Sequence, residues 1–283
     1  MCIKRKAVWI MTDNPVVTSY GVRKQTSSCN SVEQNHQQVR RNGFSILDSG
    51  FSQHEIELIS QEFNKTSDIY QSKQTTGALK ALGELDIVRM PMFISPDSML
   101  KVALNPHLLE VVDSLIDGTF VLNQQNLITN PSKQNYSQSA WHRDLPYQHF
   151  TSSSPLAVNA IYCVDDFTYE NGASYVIPSS HLHSEFPSDD FVADRGVQLA
   201  AKAGSYIIVD CMAFHRGGFN RSKRPRRAIN HVFNIPYFKQ QIAIDKNIDT
   251  TLLSETAKSI LGIGASEPRS VEEYLAARAS KSD

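Results

Sequence analysis

His142 and Asp144 stand two residues apart in the run Trp141-His142-Arg143-Asp144, and His215 follows 71 residues after Asp144. Two histidines with one carboxylate form a donor set that holds a non-haem Fe(II) ion and leaves positions open for chemistry. On a strand, positions i and i+2 share a face, so the His142 imidazole and the Asp144 carboxylate point the same way. His-x-Asp also occurs in surface turns, and the pair alone leaves that reading open. His215 comes after Gly204-Ser205-Tyr206-Ile207-Ile208-Val209-Asp210, a run rich in strand formers. Gly217 and Gly218 follow it, and small residues let backbone approach a ligand closely. A histidine satisfied within the core at a turn is the plainer alternative.

Arg226 lies eleven residues past His215, within Arg224-Pro225-Arg226-Arg227. A guanidinium offers a rigid fork of donors that matches a carboxylate. An organic cosubstrate with a distal carboxylate would use such a group. Arg226 and Arg227 have opposite parity on the strand they open, so only one faces inward. Arg221, Lys223 and Arg224 read as a solvated basic turn.

The elements that must position these groups follow from apolar spacing. Residues 33–41 suit a short helix stopped near Asn42-Gly43, and 43–47 alternate as a strand. Ser52 with Glu55 forms a capping box, opening a helix to about Tyr70 with apolar positions at 56, 58, 59 and 63. Residues 71–85 have no clear pattern. A strand is expected over 86–92, ended by Pro91 or Pro96, and a helix over 108–115. Strands then follow over 120–129, 156–164, 174–177, 196–199, 204–210 and 229–235, separated by Pro, Gly, Asn and Asp turns. That spacing indicates an antiparallel barrel or sandwich, braced by the early helices. A last helix over 271–279 packs outside or mediates association.

No repeat or linker divides the 283 residues, so the expected organisation is a weakly ordered extension over 1–34 and one domain over 35–283. Met11 suits a start codon as well as Met1. Composition is ordinary, with 41% hydrophobic and 20% charged residues and a net charge of -1. That balance gives no reason to expect nucleic acid or membrane as a partner. The apolar run 7–11 is too short for a signal-peptide core. Four cysteines, at 2, 29, 163 and 211, make neither a zinc pattern nor a disulfide framework, and a cytoplasmic location is expected.

Taken together, these motifs resemble the phytanoyl-CoA hydroxylase-like family of Fe(II)- and 2-oxoglutarate-dependent dioxygenases. The resemblance rests on Trp141-His142-Arg143-Asp144, on Glu170-Asn171-Gly172 leading to Pro178-Ser179-Ser180-His181, on Gly204-Ser205, and on His215 followed by Arg226. It spans roughly residues 35 to 240. It implies a mainly β fold with flanking helices, a double-stranded β-helix (jelly roll, cupin-like). It implies His142, Asp144 and His215 as iron ligands and Arg226 as the anchor for the distal carboxylate of 2-oxoglutarate. Gln125 matches a polar cosubstrate contact from the preceding strand, with Asn126 and Thr129 as competitors. Asn159 matches a second contact, with Tyr162 as its competitor. His181 is expected to be structural. Gly204-Ser205 departs from the Gly-Asp of many relatives. Gly217 stands where some members have a serine that touches the cosubstrate, which leaves the space to other contacts or to water.

The implied reaction consumes O2 and 2-oxoglutarate, releases succinate and CO2, and hydroxylates an unactivated C–H bond of a small, polar metabolite or natural product. Related halogenases have a small residue in place of the carboxylate, so Asp144 favours hydroxylation. Desaturation, epimerisation or cyclisation would use the same centre. Residues 70–90, 145–150 and 183–195 are the expected selectivity loops. Arg143, Arg216 and Arg221 favour an anionic or strongly polar substrate. A monomer or homodimer is expected. Two rivals are a non-oxidative cupin-like metalloenzyme and a silent binding protein. Arg226 argues against the first, and the intact set of four argues against the second.

Overall fold

A computed structural model describes residues 20–22, 24, 30–145, 149–264 and 267–279. Most of the expected extension over 1–34 lies outside the described residues. The strands are β1 (Phe44–Asp48), β2 (Ile87–Arg89), β3 (Val121–Asn130), β4 (Ala157–Cys163), β5 (Tyr175–Val176), β6 (Val197–Gln198), β7 (Ser205–Asp210), β8 (His215–Arg216) and β9 (Arg226–Asn234). The helices are α1 (Ser31–Asn42), α2 (Gln53–Lys73), α3 (Thr76–Ala81), α4 (Pro96–Ala103), α5 (Pro106–Leu115), α6 (Asp189–Arg195), α7 (Glu255–Ile260) and α8 (Val271–Ala279). No described helix is long and apolar enough to cross a membrane.

β4 is buried at every position and β9 at all but one, as central strands covered on both faces must be. They sit in a six-stranded antiparallel sheet of order β1-β7-β4-β9-β3-β2. A smaller antiparallel sheet has the order β6-β5-β8. His142 bridges His215 beside β8 and extends that smaller sheet.

The two faces of the large sheet bury different cores. Tyr162, Ile208, Ile229 and Phe233 pack toward the helices, in one cluster with Phe63, Val102 and Leu108. Ile161, Cys163, Ile207, Val209 and Ala228 form the other cluster, with Val176 of the small sheet. Two packed sheets with helices on one outer face are the expected jelly roll. Each fully buried Leu, Ile or Phe contributes about 1.5–3 kcal/mol, so both layers hold the site's walls rigid.

The capping box of Ser52 and Glu55 forms, and α2 runs on to Lys73. Gly43, at φ 86, closes α1 with its N–H on Val39 O, a left-handed cap that glycine adopts without Cβ strain. The strand expected over 86–92 shrinks to three residues, because Met90 turns left-handed at φ 48 and Pro91 starts a short 3-10 turn. α4 lies where no helix was expected. Pro96 does not stop a helix there; it occupies the first turn, where its missing N–H costs nothing. α8 forms over the expected residues and buries none of them.

Candidate metal and cosubstrate site

The backbones of His142 and His215 exchange hydrogen bonds in both directions, at 3.0 and 3.1 Å. Asp144 N–H donates to Cys211 O at 3.0 Å, so the segment 142–144 is zipped against 211–215. This ladder puts three side chains on the inner face of the small sheet. The imidazole centroids are 4.5 Å apart. Asp144 Oδ1 lies 3.8 Å from His142 Nε2 and 3.6 Å from His215 Nε2. One donor atom from each residue falls within 4.8 Å of the others.

Hydrogen bonds choose the tautomers. His142 Nδ1 is 2.8 Å from Ala140 O, and His215 Nδ1 is 3.0 Å from Ala213 O. A carbonyl accepts only, so both Nδ1 atoms carry a proton and both Nε2 atoms face the carboxylate. Burial pushes the His142 pKa down, with nearby His215 acting the same way and Asp144 opposing, which favours a neutral, ligating ring. Asn159 Nδ2 donates to Asp144 Oδ2 at 2.9 Å, holding the carboxylate with Oδ1 toward the rings. Two imidazoles with Nε2 turned inward and one oriented carboxylate suit a divalent metal.

Arg226 opens β9 and lies on the wall of the same cavity, about 40 Å³ in volume, as these three residues. It is 3% exposed. Its guanidinium stacks 3.8 Å from the Phe167 ring centroid, and Nη2 is 3.4 Å from the Tyr136 hydroxyl. Nε has no hydrogen-bond partner, and among the described residues no carboxylate pairs with Arg226. Burial pulls its pKa down, yet an arginine stays charged. A buried cation without an anion is costly, and a carboxylate ligand entering this cavity would remove that cost.

The family model for phytanoyl-CoA dioxygenase (PhyH) matches residues 39–228, a span that holds all four residues. The chain belongs to the phytanoyl-CoA dioxygenase family. An uncharacterized protein of Mycobacterium tuberculosis is 32% identical over 204 residues, covering 69% of this chain and 74% of that protein. Dioxygenase af480 of Aspergillus fumigatus is 29% identical over 130 residues, covering 44% of this chain and 40% of that one. Among solved structures, EctD from S. alaskensis with bound Fe superposes with a TM-score of 0.58 at 20% identity, over 79% of this chain and 82% of that one. The epimerase SnoN in complex with Fe3+, alpha ketoglutarate and nogalamycin RO superposes with a TM-score of 0.57 at 17% identity, over 79% and 92%. These likenesses show the shared fold. Family membership and the donor set together make this chain an Fe(II)- and 2-oxoglutarate-dependent enzyme.

Against the PhyH expectation, the structure brings His142, Asp144, His215, Asn159 and Arg226 to one cavity. It does not bring Gln125 there, which corrects that assignment. Gln125 pairs in register with His231 and faces the helices. Its amide nitrogen donates to Met99 O at 2.8 Å and meets His231 Nε2 at 2.9 Å. Its neighbour Asn126 is opposite Asn230, a cavity-wall residue, and shares that face. Tyr162 also faces the helix side, with its ring against Tyr206 and Phe51.

The arginines expected to favour an anionic or strongly polar substrate have other surroundings. Arg143 is buried over Phe214 and donates to the carbonyls of Ser180, His183 and Ser184. Arg216 stacks near Trp141 and Tyr175 beside a second cavity of about 320 Å³. Arg221 lies over Phe219. His181, expected to be structural, has Nε2 3.2 Å from Arg40 O. Of the expected selectivity loops, residues 146–148 lie outside the described residues. Tyr136 is one of the cavity residues that sequence reasoning missed, with Gln138, Ser174 and Asn230. Its one signal was an aromatic side chain within the polar stretch 131–139.

Proposed function

We propose that this enzyme hydroxylates an unactivated C–H bond of a small polar metabolite or natural product. The observation that carries the reading is one cavity holding both an intact His142–Asp144–His215 set and the unpaired cation Arg226. Iron with 2-oxoglutarate and O2 supplies oxidative decarboxylation to succinate and CO2, and with it the oxidising power to break a C–H bond.

The chain's own residues bind, orient and exclude water. His142, Asp144 and His215 would hold the metal, with two Nε2 atoms and Asp144 Oδ1 as the available donors. Asn159 keeps the Asp144 carboxylate turned inward. Arg226, stacked over the Phe167 face, would receive the distal carboxylate of 2-oxoglutarate. Ile128, Ile161 and Ala228 add apolar walls that keep water away. The Asp144 carboxylate fills the position that a halide would need, which favours oxygen transfer. One catalytic domain is the reading, supported by the core that α1, α2, α4 and α5 share with the large sheet. Buried, free Cys163 and Cys211 suit a reducing cytoplasm.

SnoN, named an epimerase, supports keeping a second outcome at the same centre. Anaerobic loading with Fe(II) and 2-oxoglutarate, then air and a screen of polar metabolites, separates the two. Substrate-triggered succinate with a product one oxygen heavier is the expected result. A product of unchanged mass means epimerisation. Succinate formation that survives His142→Ala would sink the metal assignment.

A further inference from the structure

Residues 133–138 are strapped onto the segment that follows β8. Gly217 N–H donates to Gln138 O at 2.7 Å, and Lys133 N–H donates to Asn220 O at 2.8 Å. The strap lowers the Tyr136 side chain into the cavity beside Arg226, where it is 9% exposed. A Cβ on Gly217 would lie 1.8 Å from the Tyr136 hydroxyl and 2.6 Å from its Cζ. The φ of Gly217 is outside the left-handed region, so its backbone does not require glycine. The space does: the phenol occupies the volume of the missing side chain, and no gap is left there for water.

The phenol and Arg226 are not there to satisfy each other. Their 3.4 Å separation is long for a charge-assisted hydrogen bond, which normally closes to about 2.7–2.9 Å. The hydroxyl accepts from Nη2, and its own O–H has no acceptor among the described residues. Two donors, one charged and one neutral, therefore converge on one buried space. We propose that Tyr136 is a second donor to the distal carboxylate of 2-oxoglutarate, and that Gly217 lacks a side chain in order to seat it. This rests on the reading of Arg226 as the carboxylate anchor. Burial pushes the phenol's pKa up, against the pull of Arg226, so the hydroxyl keeps its proton at neutral pH.

The test is calorimetric titration of 2-oxoglutarate into the anaerobic Fe(II)-loaded protein, with melting temperature as the check on folding. Tyr136→Phe keeps the ring and removes the donor. It should weaken 2-oxoglutarate about ten- to a hundred-fold and leave the Fe(II) stoichiometry unchanged. Gly217→Ala should also weaken it, and should add no further loss in a Tyr136→Ala background, where the clash is gone. Wild-type affinity in Tyr136→Phe, with a clear loss in Arg226→Ala, overturns the Tyr136 assignment alone. Wild-type affinity in both overturns the carboxylate anchor as well. Gly217→Ala that binds like wild type overturns the seat.

Discussion

Arg226 and Arg227 are neighbours on β9, yet they live in opposite electrostatic worlds. Arg227 faces the helices and is held on every side. Its Nη2 is 2.6 Å and its Nε 3.1 Å from the Asp165 carboxylate, and it also donates to Ser60 and Asn64. Arg226 faces the inter-sheet cavity and has a phenol at 3.4 Å and an aromatic face. Farther along the same strand, His231 on the helix side has Nδ1 3.0 Å from Ala160 O and Nε2 beside the Gln125 amide. Across the cavity, His215 turns Nε2 toward a carboxylate and another imidazole. The lesson concerns completeness. Polar groups that satisfy one another hold the fold, and polar groups that converge unsatisfied on one space await a ligand.

The largest effect should come from breaking the histidine comparison. His215→Ala is expected to remove the bound metal and bring succinate formation to background, by elemental analysis and product assay. His231→Gln should keep the metal stoichiometry near that of the wild type. Equal metal loss in both would erase the distinction between the faces.

Arg227→Ala sharpens the arginine half. Loss of its half-buried pairing with Asp165 should lower unfolding stability by about 1–3 kcal/mol in urea titrations, with metal binding intact. A variant as stable as the wild type would mean that the pairing contributes nothing.

A smaller effect should appear with pH. Complete burial pulls the His231 pKa down to about 4, from 6.5, against the raising influence of the Ala160 carbonyl. The unfolded chain then takes up the proton first as pH falls. The stability tied to neutral His231 is full above about pH 6.5 and is lost as pH drops toward 4. The melting temperature of His231→Gln should fall less over that window than the wild type's. Parallel curves would assign the acid sensitivity to other groups.

What the sequence made legible depended on whether identity or phase had to be read. His142, Asp144, His215 and Arg226 have side chains whose chemistry announces itself, and the fold brings all four to one cavity. Gln125 was matched through the family likeness, which does not read phase, and on β3 it lies opposite His231 on the helix side. β3 has a register shift between Leu122 and Gln124, so one extra residue flips the alternation, and a bulge of this kind leaves no strong mark in composition. α4 was hidden because Pro96 opens a helix as readily as it ends one. Tyr136 was hidden because its partners, Gly217 and Arg226, come from other parts of the chain, and only the fold brings them together.

On the proposed reading Arg226, with no carboxylate beside it among the described residues, is reserved for the cosubstrate, while Arg227 holds the fold through Asp165. Titrating 2-oxoglutarate into the anaerobic Fe(II)-loaded Arg226→Ala and Arg227→Ala proteins, side by side, tests it most directly. A loss of about 2–5 kcal/mol in binding is expected for Arg226→Ala, with near wild-type affinity for Arg227→Ala. Equal affinities in the two variants, or a loss confined to Arg227→Ala, would contradict it.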